Sequence, residues 1–474
     1  MTDGQADQVN ALQAIGVAVA TINSTTPVFE RRQITQDLLS GHPRTRLLYV
    51  TPELCQTQTF RRTLQTVHTQ GQLIRVAIDE AHCISEWGHD FRPAYKELSW
   101  FKTVLSSPSV PITAVTATAT PRVRADIISM LEIDSPNLRV FNTPSARPNI
   151  HYEVRYLQDY ASDPMEPEGF QIGDLLYWLD SIDKRRKARL GQNSPDIPPM
   201  SGIIYVSFRK AATALANALV YASEGRVSAV AYHAGLSPDE RSSIQAMWTS
   251  PRPFPVSEEG QDPDKPPPSF SIIVATTAFG MGIDNPCVRF VVHWTPPKSF
   301  ESFVQESGRA GRDGRAAASI IYYNTQERER MEDRIKRTAQ DVQNRGVKRA
   351  ASQQNLQAQK GSFRKVVRYC ETTHTCRHDM IKELFGDFEL EQMSSQASPP
   401  STQKVKLEYA SPCDFACDVC KEGSGAVAFR KSRMVPEGAP EDFMDYGMAS
   451  IMHAMFPRAF PGRFRGGPSL CHEC

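Results

Sequence analysis

The sequence predicts an α/β fold in which two consecutive parallel-sheet units are followed by a small helical module. Short runs of β-branched residues and leucine alternate with helical stretches up to about residue 150, and again between residues 201 and 325. Near-continuous apolar runs of this kind suit parallel strands that are buried on both faces. From about residue 326 the pattern becomes helical and then contains clustered cysteines.

The strands predicted in the first unit are short and follow a helix over residues 28–39. They cover residues 46–50, 73–78 and 112–116. The second unit is predicted to contain a helix near residues 170–187 and strands over residues 202–206, 228–232, 271–275 and 288–293. Proline- and charge-rich residues 250–269 are typical of a disordered surface insertion, and residues 390–412 are predicted to form a loop.

These patterns predict five regions along the chain. They are a first sheet domain (1–150), a linker or insertion that leads into the second domain (151–200), the second sheet domain (201–325), a helical module (326–425), and a partial or disordered tail (426–474).

The composition is that of a soluble globular protein. Of the 474 residues, 40% are hydrophobic and 23% are charged. The formal net charge of +1 gives no overall electrostatic footprint for nucleic acid, so DNA binding requires local patches. Residues 1–9 are polar and acidic, unlike a signal peptide, and no run approaches the ~20 apolar residues of a membrane span. We therefore expect an intracellular protein without membrane association.

An acidic pair follows directly on a predicted strand of the first unit. Asp79 and Glu80 open the sequence Asp-Glu-Ala-His, which ends at His82. Ligands of open parallel sheets bind at the carboxyl ends of strands, where one carboxylate can hold Mg²⁺ and the other can orient an attacking water. A solvated acidic turn would give the same four residues. The hydroxyl-rich segment Thr116–Thr120 follows the next strand in the same way and favours a site.

The second unit carries two glycine-rich motifs after its strands. The first contains Gly280, Gly282 and Asp284, and its glycines permit close backbone approach to a ligand. The second runs from Gln305 to Gly314 and contains Arg309 and Arg312, which are three residues apart. The planar guanidinium donates two parallel hydrogen bonds and so suits phosphate. A basic turn is the alternative for the second motif.

Three cysteines at metal-ligand spacing lie in the last module, namely Cys413, Cys417 and Cys420. In a chain of this size without a secretion signal, metal ligation is favoured over a disulfide framework, and unrelated free cysteines are the alternative. Cys370, His374 and His378 are nearby rival ligands. Cys471 and Cys474 could also bind metal, although no partner pair is visible.

The motifs together resemble RecQ-family helicases of superfamily 2 from residue 7 to about residue 425. The most specific segment is Ile78–Tyr95, an Asp-Glu-Ala-His sequence followed by an aromatic-rich loop. The other matching segments are 23–26, 47–53, 117–120, Arg147-Pro-Asn-Ile150, 232–236 and the two glycine-rich motifs. The resemblance implies two tandem RecA-like domains, the first of them incomplete, and a zinc-binding module.

The resemblance also implies roles for particular residues. In the first domain Asp79 would bind Mg²⁺, Glu80 would activate water, and His82 would couple the nucleotide state to the motor. Gln305, Arg309 and Arg312 would reach ATP across the interdomain cleft, with Arg312 as arginine finger and Arg309 as its rival. The residues implied in cofactor binding are Asp79, Gly282, Asp284, Arg309 and Arg312.

The family's aromatic-rich loop senses single-stranded DNA. It is matched here by Trp87, His89, Phe91 and Arg92. Base stacking on an aromatic side chain is worth ~1–3 kcal/mol and is sequence-tolerant, as a translocating motor requires. Without the family match, Trp87 and Phe91 would be interpreted as core residues.

The metal site implied by the resemblance is a structural zinc site with four thiolate ligands. Beside the three clustered cysteines, the fourth ligand is implied to be Cys376, on the preceding helix. The full set is Cys376, Cys413, Cys417 and Cys420.

The sequence departs from the family pattern in its phosphate-binding loop. No Gly-x-x-x-x-Gly-Lys-Ser/Thr segment occurs in the 474 residues, and a complete winged-helix domain is not expected after the zinc module. Two hypotheses follow. One is an ATP-dependent 3′-to-5′ DNA helicase that acts in recombination and repair in the nucleus, with single-stranded and branched DNA as partners. The other is a DNA-binding protein or gene fragment without ATP turnover.

Overall fold

The structure is a computed structural model. It describes residues 2–88, 91–133, 138–157, 169–190, 198–249, 267–277, 279, 285–344, 350–388 and 417–434. The fold is α/β, as predicted, and the strands of its main sheet pair in parallel.

The first unit contains two short parallel strand pairs. The strands are β1 (Val19–Ile22), β2 (Leu47–Val50), β3 (Val76–Ile78) and β4 (Ile112–Ala114), paired β1–β2 and β3–β4. The helices are α1 (Thr2–Ala14), α2 (Val28–Leu38), α3 (Pro52–Cys55), α4 (Gln58–Thr69), α5 (Pro93–Lys96), α6 (Trp100–Val104) and α7 (Pro121–Met130). Two 3₁₀ helices cover Ala81–Ile84 and Glu97–Ser99.

The prediction that these first strands are buried on both faces is wrong. The residues of β4 are only half-buried, and β2 begins with the exposed Leu47. The predicted strand over residues 73–78 shortens to β3, because pairing with β4 begins at Val76 and Ile74 is exposed. Each of these strands pairs with a single neighbour among the described residues, so less of its surface is covered.

The second unit is a six-stranded parallel sheet in the order β5-β10-β9-β6-β8-β7. Its strands are β5 (Ile150–Tyr156), β6 (Met200–Tyr205), β7 (Val227–Tyr232), β8 (Phe270–Ala275), β9 (Val288–His293) and β10 (Ala317–Tyr323). Its helices are α8 (Gly169–Leu190), α9 (Arg209–Ala222), α10 (Pro238–Thr249) and α11 (Phe300–Ser307).

Apolar residues cover both faces of this sheet. The neighbours Ile203 and Ile204 belong to different core clusters, because successive side chains of a strand point to opposite faces. Gly202 is required in β6, since a Cβ there would lie 2.0 Å from the ring of Phe290 on the adjacent β9. The edge strand β5 and its neighbour β10 were not among the predicted strands.

The last module packs its helices against the second unit. They are α12 (Thr325–Asn344), α13 (Ala350–Glu371), α14 (Arg377–Phe385), α15 (Asp418–Glu422) and α16 (Ser424–Ser432). Phe363 and Phe385 share one core cluster with the sheet residue Tyr152. Among the described residues, no helix combines the length and the apolar character needed to cross a membrane.

Candidate functional site

The acidic turn after β3 is held against the turn after β4 by main-chain bonds. The amide of Val115 donates to the carbonyl of Ile78 at 2.9 Å, and the amide of Ala81 donates to the carbonyl of Val115 at 2.9 Å. Between them Glu80 adopts a left-handed conformation with φ 50°. Such a conformation is costly for a non-glycine residue and is typical of functional sites. It carries the chain abruptly from the strand into the 3₁₀ helix Ala81–Ile84.

A chain of polar contacts links Glu80 to the second turn. The Nδ1 atom of His82 lies 3.2 Å from Glu80 Oε2 and 3.0 Å from Thr116 Oγ1. His82 is buried, so these contacts are shielded from solvent. The carboxylate that could orient water is therefore connected through one imidazole to the hydroxyl-rich turn after β4.

Asp79 lies at the rim of the same turn. Its carboxylate Oδ1 accepts a hydrogen bond from the amide of Glu80 at 2.8 Å, and its carbonyl accepts one from the hydroxyl of Tyr95 at 3.2 Å. Although the residue is exposed, desolvation by the surrounding protein raises the pKa of its carboxyl group, and the nearby charge of Glu80 adds to this. A bound cation would offset both effects, as expected of a Mg²⁺ ligand.

The two sheet units meet at this turn. The side-chain amide of Gln305, on α11 of the second unit, donates to Glu80 Oε1 at 3.2 Å. The two residues are separated by 225 positions in the chain. The contact places the glycine- and arginine-rich motif of the second unit at the acidic turn of the first.

The two arginines of that motif differ in exposure. Arg309 is only 7% exposed, whereas Arg312 lies on the surface. Both guanidiniums lie close enough to the buried Tyr205 to influence its hydroxyl, whose pKa is raised mainly by burial. The candidate cofactor residues Gly282 and Asp284 lie outside the described residues.

The arginine-bearing loop is held by the segment that precedes β5. Arg147 donates to the carbonyls of Gly308 at 2.9 Å and Gly311 at 2.5 Å, and the side-chain amide of Asn149 donates to Gly311 at 2.8 Å. Gly311 has φ +60°, and a Cβ there would lie 2.6 Å from Asn149. This cradle fixes the backbone between the two candidate finger arginines.

The aromatic-rich loop is anchored by hydrogen bonds to α7. The hydroxyl of Ser85 donates to Asp126 of α7 at 2.5 Å and accepts from the amide of Trp87 at 3.1 Å. Gly88 packs so closely that a Cβ would lie 2.4 Å from the carbonyl oxygen of His82. The loop is thus built directly onto the backbone of the acidic turn.

Each described aromatic ring of the loop has a cation beside it. The guanidinium of Arg122 lies 3.7 Å from the ring centroid of Trp87, and the ammonium of Lys96 lies 5.2 Å from that of Phe91. Trp87 and Phe91 are both half-buried rather than fully enclosed. The amide of Arg92 donates to the carbonyl of Cys83 at 2.9 Å, which closes the loop, and His89 lies outside the described residues.

A candidate metal site lies where α14 and α15 begin. The ligand atoms of Cys376, His378 and Cys417 lie within 4.8 Å of one another. The sulfurs of Cys376 and Cys417 are 4.0 Å apart, close to the ~3.8 Å edge of a tetrahedron with zinc–sulfur bonds of ~2.3 Å. Cys420 is exposed one helical turn further on, and Cys413 lies outside the described residues.

The surroundings of these thiols fit a metal ligand set. The hydrogen bond with Cys376, together with burial, raises the pKa of the Cys417 thiol to about 11. The amide of Arg377 donates to Cys417 Sγ at 3.4 Å, which favours the thiolate. The rival ligand His378 is turned so that its Nε2 lies 3.1 Å from the carbonyl of Ile150. Zinc would supply the charge that keeps two adjacent thiolates deprotonated.

Several residues that build this site were absent from the sequence-based set. They are Ser85, Gly88, Arg122, Asp126, Arg147 and Asn149. The segment Arg147-Pro-Asn belongs to the resemblance, which implies no role for it. Its partners lie more than 160 positions away, so no local pattern could have revealed the cradle.

Comparison with known proteins identifies related families. Residues 197–314 match the profile of the "Helicase conserved C-terminal domain", and residues 325–421 match "RecQ zinc-binding". The chain is 35% identical over 416 residues to "ATP-dependent DNA helicase Q5" of Rattus norvegicus, which covers 88% of the chain and 36% of that protein. It is 32% identical over 426 residues to "RecQ-like DNA helicase blm-1" of Caenorhabditis elegans, covering 90% of the chain and 36% of the relative.

A third relative gives the same picture. The chain is 33% identical over 422 residues to "Putative ATP-dependent DNA helicase Q1" of Caenorhabditis briggsae, covering 89% of the chain and 55% of that protein. The chain thus spans between a third and little more than half of the curated relatives described here.

Proposed function

Because this chain belongs to the RecQ family of helicases, we propose that the activity associated with its helicase domains is ATP-dependent unwinding of DNA in the 3′-to-5′ direction. The observation that supports this best is the hydrogen bond between Gln305 and Glu80. It brings a water-orienting carboxylate and an arginine-bearing loop from two sheet units to one place. Motors that hydrolyse nucleoside triphosphates need this arrangement, because opposite sides of the cleft must act on one triphosphate.

The residues of the turn would divide the work of hydrolysis. Asp79 would hold Mg²⁺, which supplies positive charge to the phosphate oxygens. Glu80 would orient the attacking water, and the contacts of His82 with Glu80 and Thr116 would keep that carboxylate in position. Removal of a partly buried, oriented carboxylate should affect turnover more than substrate binding.

The arginines would stabilise the charge that develops on the transferred phosphoryl group. The exposed Arg312 is the proposed arginine finger. The buried Arg309, three residues earlier, would help to keep Arg312 in position. The cradle formed by Arg147 and Asn149 fixes the loop between them. An arginine finger typically increases the rate of hydrolysis by a factor of ~10³–10⁵. The contacts that fix the backbone of its loop should therefore affect catalysis.

DNA would bind at the aromatic-rich loop. Trp87 and Phe91 are half-buried rings on a loop that is bonded to the acidic turn through Cys83. Stacking of bases on these rings does not depend on base identity. We propose single-stranded and branched DNA as the substrates. A nuclear role in recombination and repair is proposed from the relatives, which include the helicases named above.

The last module would hold one structural zinc ion through Cys376, Cys413, Cys417 and Cys420. The match to the RecQ zinc-binding profile and the tetrahedral spacing of two sulfurs support this assignment. The test is a zinc assay of the purified protein before and after Cys417→Ser. One zinc ion per chain that is lost in the variant agrees with the proposal, and less than one in the original protein contradicts it.

A second candidate function is DNA binding without ATP turnover. It is favoured by one observation, the lack of a Gly-x-x-x-x-Gly-Lys-Ser/Thr segment among the 474 residues. That loop and its lysine provide most phosphate contacts in such motors. We therefore propose that residues 1–474, tested as they stand, bind DNA but hydrolyse little or no ATP.

One experiment separates the two candidates. ATP hydrolysis by residues 1–474 is measured with and without single-stranded DNA, with Glu80→Gln as the matched control. DNA-stimulated turnover that disappears in the control would establish the motor and refute our proposal of inactivity. Where turnover is found, duplexes with either a 3′ or a 5′ single-stranded tail then report the direction, and preferential unwinding of the 5′-tailed substrate would contradict the proposed polarity.

A further inference from the structure

The stacking surface of the aromatic-rich loop is already occupied in this structure. The guanidinium carbon of Arg122 lies 3.7 Å from the ring centroid of Trp87, which is van der Waals contact. A nucleobase inserted between two flat groups would need about twice that spacing. A base therefore cannot reach this face of the indole unless the guanidinium leaves. The indole also packs against the core of the first unit, which covers part of its remaining surface.

The backbone on both sides of this contact is fixed. Trp87 is tied through Ser85 to Asp126, which lies on α7, the same helix that carries Arg122. The start of that helix is capped by Thr120. Loop and helix are therefore bonded to each other beside the contact, and separation of the two elements would break the hydrogen bond between Ser85 and Asp126.

The helix is also tied to the zinc module. The guanidinium of Arg124 donates to the carbonyl of Phe385 at 2.8 Å, at the end of α14. The next residue, Gly386, has φ +65°, and a Cβ there would lie 2.7 Å from Pro121. With the first turn of α7 held against α14 and Asp126 bonded to Ser85, the flexible part of the contact is the side chain of Arg122, which is exposed.

We propose that Arg122 is a removable cover on Trp87, which an unstacked nucleobase must displace in order to bind. This inference deepens the proposed function, because it rests on Trp87 as a DNA-stacking residue. A cation over an aromatic ring at an exposed site contributes about 2- to 5-fold to an equilibrium constant. Stacking of a base contributes about 5-fold or more, so the base prevails.

The cover confers selectivity for single strands. A base that is paired and stacked within a duplex offers no free face to the indole, and therefore cannot compete with the guanidinium. An unstacked base can, because its free face stacks on the indole in place of the guanidinium. The covered ring thus distinguishes free bases from bare phosphate charge.

The test compares two fluorescent oligonucleotides of equal length, one of deoxythymidine and one of abasic residues. Their dissociation constants are measured by anisotropy with the 474-residue protein, and the ratio of the abasic value to the thymidine value isolates the contribution of the bases. Arg122→Ala should raise this ratio about 2- to 5-fold, because the base no longer displaces a cation. Loss of any phosphate contact weakens both oligonucleotides alike and cancels in the ratio.

Two further variants complete the design. Arg185→Ala removes the same charge from an exposed position on α8 and should leave the ratio unchanged. Trp87→Ala should bring the ratio towards one, and if it does not, the stacking role of Trp87 fails and the proposed DNA site with it. If Trp87→Ala lowers the ratio but Arg122→Ala leaves it unchanged or lowers it, the DNA site stands and the cover is refuted.

Discussion

The buried ion pair between Arg377 and Asp418 should dominate the stability of the zinc module. The guanidinium forms two parallel hydrogen bonds to the carboxylate, Nε to Oδ1 at 2.9 Å and Nη2 to Oδ2 at 3.1 Å, and neither side chain is exposed. A further guanidinium nitrogen of Arg377 donates to the carbonyl of Tyr369, and Asp418 Oδ2 accepts from the amide of Val154 in β5. The pair therefore joins α14, α15 and the main sheet.

The perturbation is Asp418→Asn, which keeps the shape and the acceptor for Val154 but removes the negative charge. It leaves the Arg377 cation buried without its counter-ion, and such a change costs about 3–5 kcal/mol. With a denaturant slope of ~1–3 kcal/mol/M, the urea midpoint of the module should fall by more than about 1 M. The assay follows helical circular dichroism and zinc release in one urea titration.

Two controls make the prediction specific. Lys336→Ala breaks an ion pair with Asp333 in which the side chains are 61% and 59% exposed, and should cost at most about 1 kcal/mol. The double variant Arg377→Met with Asp418→Asn leaves no buried charge, so it should be more stable than Asp418→Asn alone. The reasoning is refuted if Asp418→Asn costs no more than Lys336→Ala, or if the double variant is the less stable one.

Two other changes test the loop and the edge of the main sheet. Gly88→Ala would press a Cβ against the carbonyl of His82, so it should lower the stability of the first unit by about 1–3 kcal/mol and reduce base-dependent DNA binding. Thermal unfolding and the oligonucleotide ratio measure these effects, and unchanged values would contradict the close packing. Burial alone would raise the pKa of Glu153, but His151 and Arg155 lower it to about 2. The ionised carboxylate contributes about 3 kcal/mol to the free energy of unfolding above pH ~4.5, and this contribution is lost as the pH falls towards 2. Glu153→Gln should therefore flatten the acid side of the plot of unfolding free energy against pH. An unaltered acid side would show that this carboxylate does not contribute to stability.

The sequence by itself determined the α/β class, four of the six strands of the second unit and the family. These features follow from local patterns, because a buried parallel strand must be apolar throughout and a motif such as Asp79-Glu80-Ala81-His82 is contiguous. The half-exposed strands of the first unit were mispredicted in their burial, since an apolar run does not show how many neighbouring strands will cover it. The strand β5 was missed because polar residues alternate with apolar ones along it, whereas the strands were predicted from continuous apolar runs.

Only the tertiary structure decided which distant residues meet. The contact of Gln305 with Glu80, the cradle of Arg147 around Gly311 and the cover of Arg122 on Trp87 join positions that no sequence period relates. Each depends on the packing of one unit or helix against another, and a hydrogen bond or ring contact forms only where that packing brings two groups within a few ångströms. Local physics therefore specified the elements, whereas the arrangement of the site arose from their assembly.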